Sequence, residues 1–193
     1  MTLWELSLDL ARAFTLLLPI LIPGLFFIAC IKRGWLLALN KPIDFGLSLG
    51  KTRLFGPTKN WRGLVIYVVG GTGIAALLHL LQPSQAWIAP VYAFNPWILG
   101  PVCCLAYVLG ELVNSFIKRR LGIAPSQVSS SKLGAYVQAF FDNADGAIGF
   151  GIALNLLARP TGNYLLLALV LAFLVHALSD LLMRKLSIKK KQN

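Results

Sequence analysis

The sequence predicts an all-α integral membrane protein, a polytopic bundle of about five transmembrane helices with two basic cytoplasmic loops. Of the 193 residues 57% are hydrophobic and 13% charged, with a mean hydropathy of +0.72. That leaves too few polar side chains to cover a soluble globule of this size. Apolar stretches of about 20 residues, the length a helix needs to cross a bilayer, recur between charged segments. They fill the chain, so residues 1–193 are expected to form one membrane domain.

Glu5 and Asp9 stand where a cleavable signal would carry positive charge, and no small-x-small site follows, so the first span is expected to stay attached. Residues 2–11 alternate apolar and polar at helical spacing, which predicts a short interfacial helix. The first span follows from Ala13 to Ile31, with Pro19 and Pro23 predicting a kink or a break. Residues 32–62 form a basic, turn-rich loop with no hydrophobic period. From Gly63 to Gly110 no residue is charged. Two spans fit across this region, 64–82 and 98–117, separated by a segment holding Pro83, Pro90 and Pro96. His79, alone in the first of these, is expected to pack against a hydrogen-bond partner. After a second basic loop, spans are expected from Ala139 to Ala158 and from Tyr164 to Met183, then a basic tail. Cys30, Cys103 and Cys104 lie in apolar segments without metal or disulfide spacing and are read as buried small residues.

The two basic loops and the tail hold seven, four and five of the 18 basic residues, which places them on the cytoplasmic side. The expected topology is a multi-pass protein of the cell's inner (cytoplasmic) membrane, N-terminus outside and C-terminus in the cytoplasm. The net charge of +11 then reflects orientation and contact with the anionic bilayer surface. No nucleic-acid partner is expected, and a homodimer stays open.

Residues 110–146 carry Glu111, Asp142 and Asp145 at the edges of apolar segments. A carboxylate near hydrocarbon is disfavoured by roughly 2.5 to 3.5 kcal/mol, so three of them imply a purpose. Glu111, Ser115 and Lys118 recur at i, i+4 and i+7, one stripe of a helix ending in the second loop. Asp142 and Asp145 share a helix face and repel unless a cation lies between them. Hard oxygen ligands of this kind suit partly hydrated Mg²⁺ bridged to phosphates, with Glu111 as a third ligand. The alternative is a pair of helix N-terminal carboxylates offsetting the dipole.

The run E-x-x-x-S-F-I-K-R-R-L-G-I at Glu111–Ile123, with D-N-A-D at Asp142–Asp145, resembles the CDP-archaeol synthase family, related to bacterial phosphatidate cytidylyltransferases. P-I-D-F-G at Pro42–Gly46, G-K-T-R at Gly50–Arg53 and G-P-T-K-N-W-R-G at Gly56–Gly63 are similar to that family's blocks in the first loop. The family usually has Asp at Glu111 and at Pro57. The resemblance implies a nucleotidyltransferase in which a membrane lipid phosphate attacks the α-phosphorus of CTP, yielding a CDP-lipid and pyrophosphate. By the same resemblance Asp142, Asp145 and Glu111 hold Mg²⁺. Lys118 and Arg119, with Lys59 and Arg62, take the triphosphate and the lipid phosphate. Asp44, Arg53, Ser115 and Arg120 contribute to the substrate site, while Gly56 and Gly63 let backbone approach phosphate.

D-x-x-D-G at Asp142–Gly146 also opens the signature of CDP-alcohol phosphatidyltransferases. That signature demands two further aspartates where this chain has Leu165 and Leu169, which excludes it. A CTP-dependent lipid kinase and a small ion-coupled transporter remain as alternatives. The glycines and basic residues from Lys51 to Gly63 suggest an element that closes over phosphate, and Pro19 and Pro23 a looser place where lipid chains enter sideways.

Overall fold

At the N-terminus the Thr2 hydroxyl accepts from Glu5 N (3.2 Å) while the Glu5 carboxylate accepts from Thr2 N (2.7 Å). This reciprocal cap starts α1, Leu3–Arg33, which ends at Gly34 in the left-handed region. The computed structural model describes residues 2–125, 127–160 and 163–185, the last six of these by backbone alone. The side chains of the basic tail lie outside the described residues.

The expected interfacial helix and first span are one helix, because nothing between Leu10 and Ala13 interrupts it. Nor do Pro19 and Pro23 break it. Each proline removes the N–H that would serve the carbonyl four residues earlier. Neighbours serve those carbonyls instead: the Tyr92 hydroxyl donates to Thr15 O at 2.9 Å, and the Cys104 thiol lies 3.9 Å from Pro19 O.

The loop after α1 is more ordered than its composition suggests. Strands β1 (Ser48–Leu49) and β2 (Thr52–Arg53) pair antiparallel, and Pro42 bridges to Asn60. Asn60 then caps α2, Trp61–Val65, by accepting from Gly63 N at 2.9 Å. A π-turn at Ile66–Gly70 joins it to α3, Gly71–Leu81, and the apolar rod continues to Ser84. Next come α4 (Pro96–Arg120), α5 (Lys132–Ala158) and α6 (Tyr164–Lys185).

Leu3–Arg33, Trp61–Ser84 and Pro96–Arg120 are long and apolar enough to cross a membrane, and Tyr164–Ser179 is a shorter apolar stretch. The five expected spans fall on helical stretches; the first four begin earlier than expected, where a cap or a proline at the first turn sets the start, while α6 begins at Tyr164 as expected. Leu80, Leu156 and Leu166 point outward, as a lipid-facing surface requires. The core lies towards the end of the bundle away from the basic loops, around Leu16, Ile88, Leu99, Cys103, Leu154 and Tyr164. His79 Nδ1 donates to Tyr92 O at 2.7 Å, the packing role expected of it, and all three cysteines are free and buried.

Candidate active site

α4 packs most closely on α5. A Cβ added at Gly110 would lie 2.2 Å from Asp145 O, so glycine alone permits this approach. The carboxylates of α5 are thereby drawn onto the polar end of α4. Asn114 Nδ2 donates to Asp142 Oδ1 and to Asp145 Oδ2, each at 2.7 Å, and Lys118 Nζ reaches Asp142 Oδ1 at 2.5 Å. Because α5 begins at Lys132, both aspartates lie more than two turns inside the helix. Dipole compensation fades within the first turn, so it does not explain them.

Glu111 takes a different partner. Its Oε2 accepts from Lys59 Nζ at 2.5 Å, tying the first basic loop to α4. Burial alone would lower the Lys59 pKa, but Glu111, and beyond it Asp145 and Asp142, outweigh that and hold it above the ordinary lysine value. The expected third ligand is therefore engaged by an ammonium. Among the described residues no three His, Cys, Asp or Glu side chains group as a metal site.

Several other residues expected to bind substrate fold the loop as they stand. Asp44 accepts from Gly46 N (3.0 Å), Phe55 N and Gly56 N (3.2 Å each) and from Arg53 Nη2 (2.6 Å). Burial would raise its pKa, yet these donors overcome that and set it below 3.8. Arg120 clamps the hairpin to α4 through Leu49 O, Thr52 O, Thr52 Oγ1 and Arg53 O. Arg119 donates to Phe55 O and Ile123 O. Gly56 has φ +103°, turns its N–H to Asp44 and lies against Arg119, while Gly63 sits in the first turn of α2. Ser115 is buried within the bundle. Both basic loops thus meet at one end of the molecule.

Beside this polar end lies a cavity of about 540 Å³ between α1, α6 and the loop before α2. Leu21, Phe27 and Ile28 of α1 and Leu169 and Val175 of α6 line its apolar part. Lys59, Asn60, Arg62, Glu111 and His176 line its polar head. Arg62 is 5% exposed, donates to Trp35 O at 3.1 Å, and has an Nε without a partner among the described residues.

Two site residues escaped the sequence reading. Asn114 sits at i+3 from Glu111, on the same face as the i+4 stripe, so helical spacing alone marked it. His176 was marked by being the one His, Asp, Glu, Lys or Arg in the apolar run Tyr164–Ser179.

The sequence profile of the CarS-like CDP-archaeol synthase family matches residues 10–192. A CDP-archaeol synthase of Halobacterium salinarum is 40% identical over 43% of this chain and 46% of its own length, so the match spans about half of that relative. A CDP-archaeol synthase of Pyrococcus furiosus is 31% identical over 77% of this chain and 81% of its own, and one of Pyrobaculum arsenaticum 25% identical over 95% and 99%. The solved structure of an intramembrane enzyme for archaeal membrane lipids biosynthesis has the same fold, with a TM-score of 0.59 at 21% identity over 88% of this chain and 92% of that one. With a family profile spanning nearly its whole length, and a membrane fold shared with a solved intramembrane enzyme, the chain belongs to the CarS-like CDP-archaeol synthase family.

Proposed function

We propose that the protein is a CTP-dependent cytidylyltransferase that converts a membrane lipid phosphate of the archaeal ether type to a CDP-lipid, releasing pyrophosphate. One observation carries this: the Asp142–Asn114–Asp145–Lys118 cluster stands beside a chain-sized apolar cavity whose head is cationic. The names of the relatives supply the substrate class.

The transfer asks for positioning and charge neutralisation and little covalent chemistry from the protein. Asp142, Asp145 and Asn114 offer hard oxygen donors, since the two ends of an amide exchange by rotation. Asn114 draws the two carboxylates onto one group, its terminal nitrogen donating to an oxygen of each at 2.7 Å, so the three side chains that would hold the metal converge. Mg²⁺ held there would neutralise the developing pyrophosphate. Lys118, adjoining the pair, receives the triphosphate, and Lys59 stands between the two phosphates. Arg119, Arg120 and Arg53, with Asp44, act by holding the loop that carries Lys59. With both basic loops at one end, CTP arrives from the cytoplasm, the N-terminus lies outside, and all these residues come from a single chain.

The test uses purified protein in nanodiscs with CTP, Mg²⁺ and an ether lipid phosphate, following CDP-lipid by mass. Asp142→Asn and Asp145→Asn should each cut turnover at least 100-fold, on the order of losing a key electrostatic contact, while the protein remains folded and monodisperse. Wild-type rates in both variants at ordinary Mg²⁺ would remove the carboxylate pair from the reaction.

A further inference from the structure

α6 contributes a polar residue that the reaction so far leaves unused. Its stretch Tyr164–Ser179 is apolar apart from His176 and the terminal Ser179, and both line the cavity. An ionisable side chain at such a position is costly and marks a functional contact. The chain's other histidine, His79, is engaged by Tyr92 O, whereas His176 forms no hydrogen bond among the described residues and stands within electrostatic reach of Glu111.

The cavity divides the polar end into two centres. Lys59, Arg62, Glu111, His176 and Ser179 line it, whereas Asp142, Asp145 and Lys118 do not. The Lys59–Glu111 pair is the shared wall, since Lys59 senses Asp145 and Asp142 on one side while Glu111 senses His176 on the other. A molecule filling the apolar part with hydrocarbon chains presents its head to Lys59, Arg62 and His176. Glu111 offsets Lys59, so Arg62, whose Nε–H has no partner among the described residues, leaves the head with a net positive charge that favours an anion.

Resting on the cytidylyltransfer reading, we propose that His176, with Ser179 one turn on, binds the acceptor lipid's phosphate and aims one of its oxygens at the α-phosphorus of CTP. The imidazole N–H and the Ser179 hydroxyl donate to non-attacking phosphate oxygens. The attacking oxygen forms the new bond to the α-phosphorus, the bond from that phosphorus to the β-bridging oxygen breaks, and its electron pair leaves with pyrophosphate. His176 transfers no proton. Its role is affinity and aim for the lipid, not for the nucleotide.

The experiment varies CTP and lipid phosphate separately with the full chain in nanodiscs. A hydrogen bond to a charged group is worth about tenfold in affinity. His176→Ala should therefore raise KM for the lipid phosphate about tenfold or more and leave KM for CTP within about twofold. His176→Gln, whose amide still donates, should recover most of the loss, and His176→Phe should not. Binding of a fluorescent ether lipid phosphate without CTP should follow the same order, His176→Gln above His176→Phe, the reverse of what a packing role would give. An unchanged lipid KM in folded His176→Ala, or a rise confined to CTP, overturns the proposal. If the wild type forms no CDP-lipid, the cytidylyltransfer reading falls instead, and the binding titration still decides the role of His176.

Discussion

Lys59 and Glu111 pair at 2.5 Å across 52 residues of sequence, joining a loop that carries cations to the helix facing the carboxylates. On the proposed reading, the pair keeps an ammonium at the boundary of the two substrates' phosphates and leaves it compensated when they are absent. Lys59→Ala should lower kcat/KM for both substrates by about 100-fold, the scale of losing one preorganised donor. Lys59→Arg should recover part of this, and an effect confined to one substrate would place Lys59 wholly in that substrate's site. At this scale the sequence was half legible. Asp142 and Asp145 announce themselves by their i, i+3 spacing near hydrocarbon. Glu111 stood out as a carboxylate at the edge of an apolar segment but not as the partner of Lys59, because that contact depends on how the loop folds. Ser115 shares the stripe yet turns inward, and Asn114, equally close by helical geometry, takes the position between the aspartates.

The loop before α2 and the end of α4 that clamps it show how folding disguises arginines. Arg53, Arg119 and Arg120 have the composition of a phosphate site, yet their donors go to Asp44 and to backbone carbonyls. Sequence does not separate these uses, since either asks for a cation beside glycines. The hairpin itself has only two residues per strand, too short for any periodic signal. Arg120→Ala removes its clamp, and tryptic cleavage at Lys51 and Arg53 should speed severalfold; saturating CTP should slow that cleavage in the wild type. Asp44→Ala should cost roughly 2 kcal/mol, as expected for hydrogen bonds to a charged group, read as a lower thermal midpoint in detergent. Because the Asp44 pKa is depressed when folded, its contribution is present above the unfolded value of 3.8 and is lost as pH falls below it. The difference between Asp44→Ala and wild type should therefore shrink below pH 4. Wild-type cleavage rates in Arg120→Ala would show that the hairpin holds without α4.

For the whole molecule, hydropathy and charge made the bundle and its basic end legible, whereas the cavity was not, since it is made by the way α1 and α6 pass one another. The expected opening beside Pro19 and Pro23 takes a different form: α1 runs on, its freed carbonyls served by neighbours, and its face from Leu16 to Ile31 lines the cavity. On the proposed reading, lipid chains entering there would bring their phosphate to headgroup level, beside the basic loops. Leu21→Trp should slow long-chain acceptors several-fold with CTP binding intact, and a short-chain phosphate should be a poor acceptor whose turnover the tryptophan leaves alone. Equal turnover of both chain lengths at matched surface concentration would rule out this entry. Transfer of the α-phosphorus of CTP to a lipid phosphate is tested by labelling CTP separately at the α- and γ-phosphates and counting label in extracted lipid. Cytidylyl transfer puts α-label in the lipid and γ-label in pyrophosphate, with one lipid product formed per pyrophosphate released. Lipid labelled from the γ-phosphate alone, with CDP left in solution, would contradict it and establish a lipid kinase in its place.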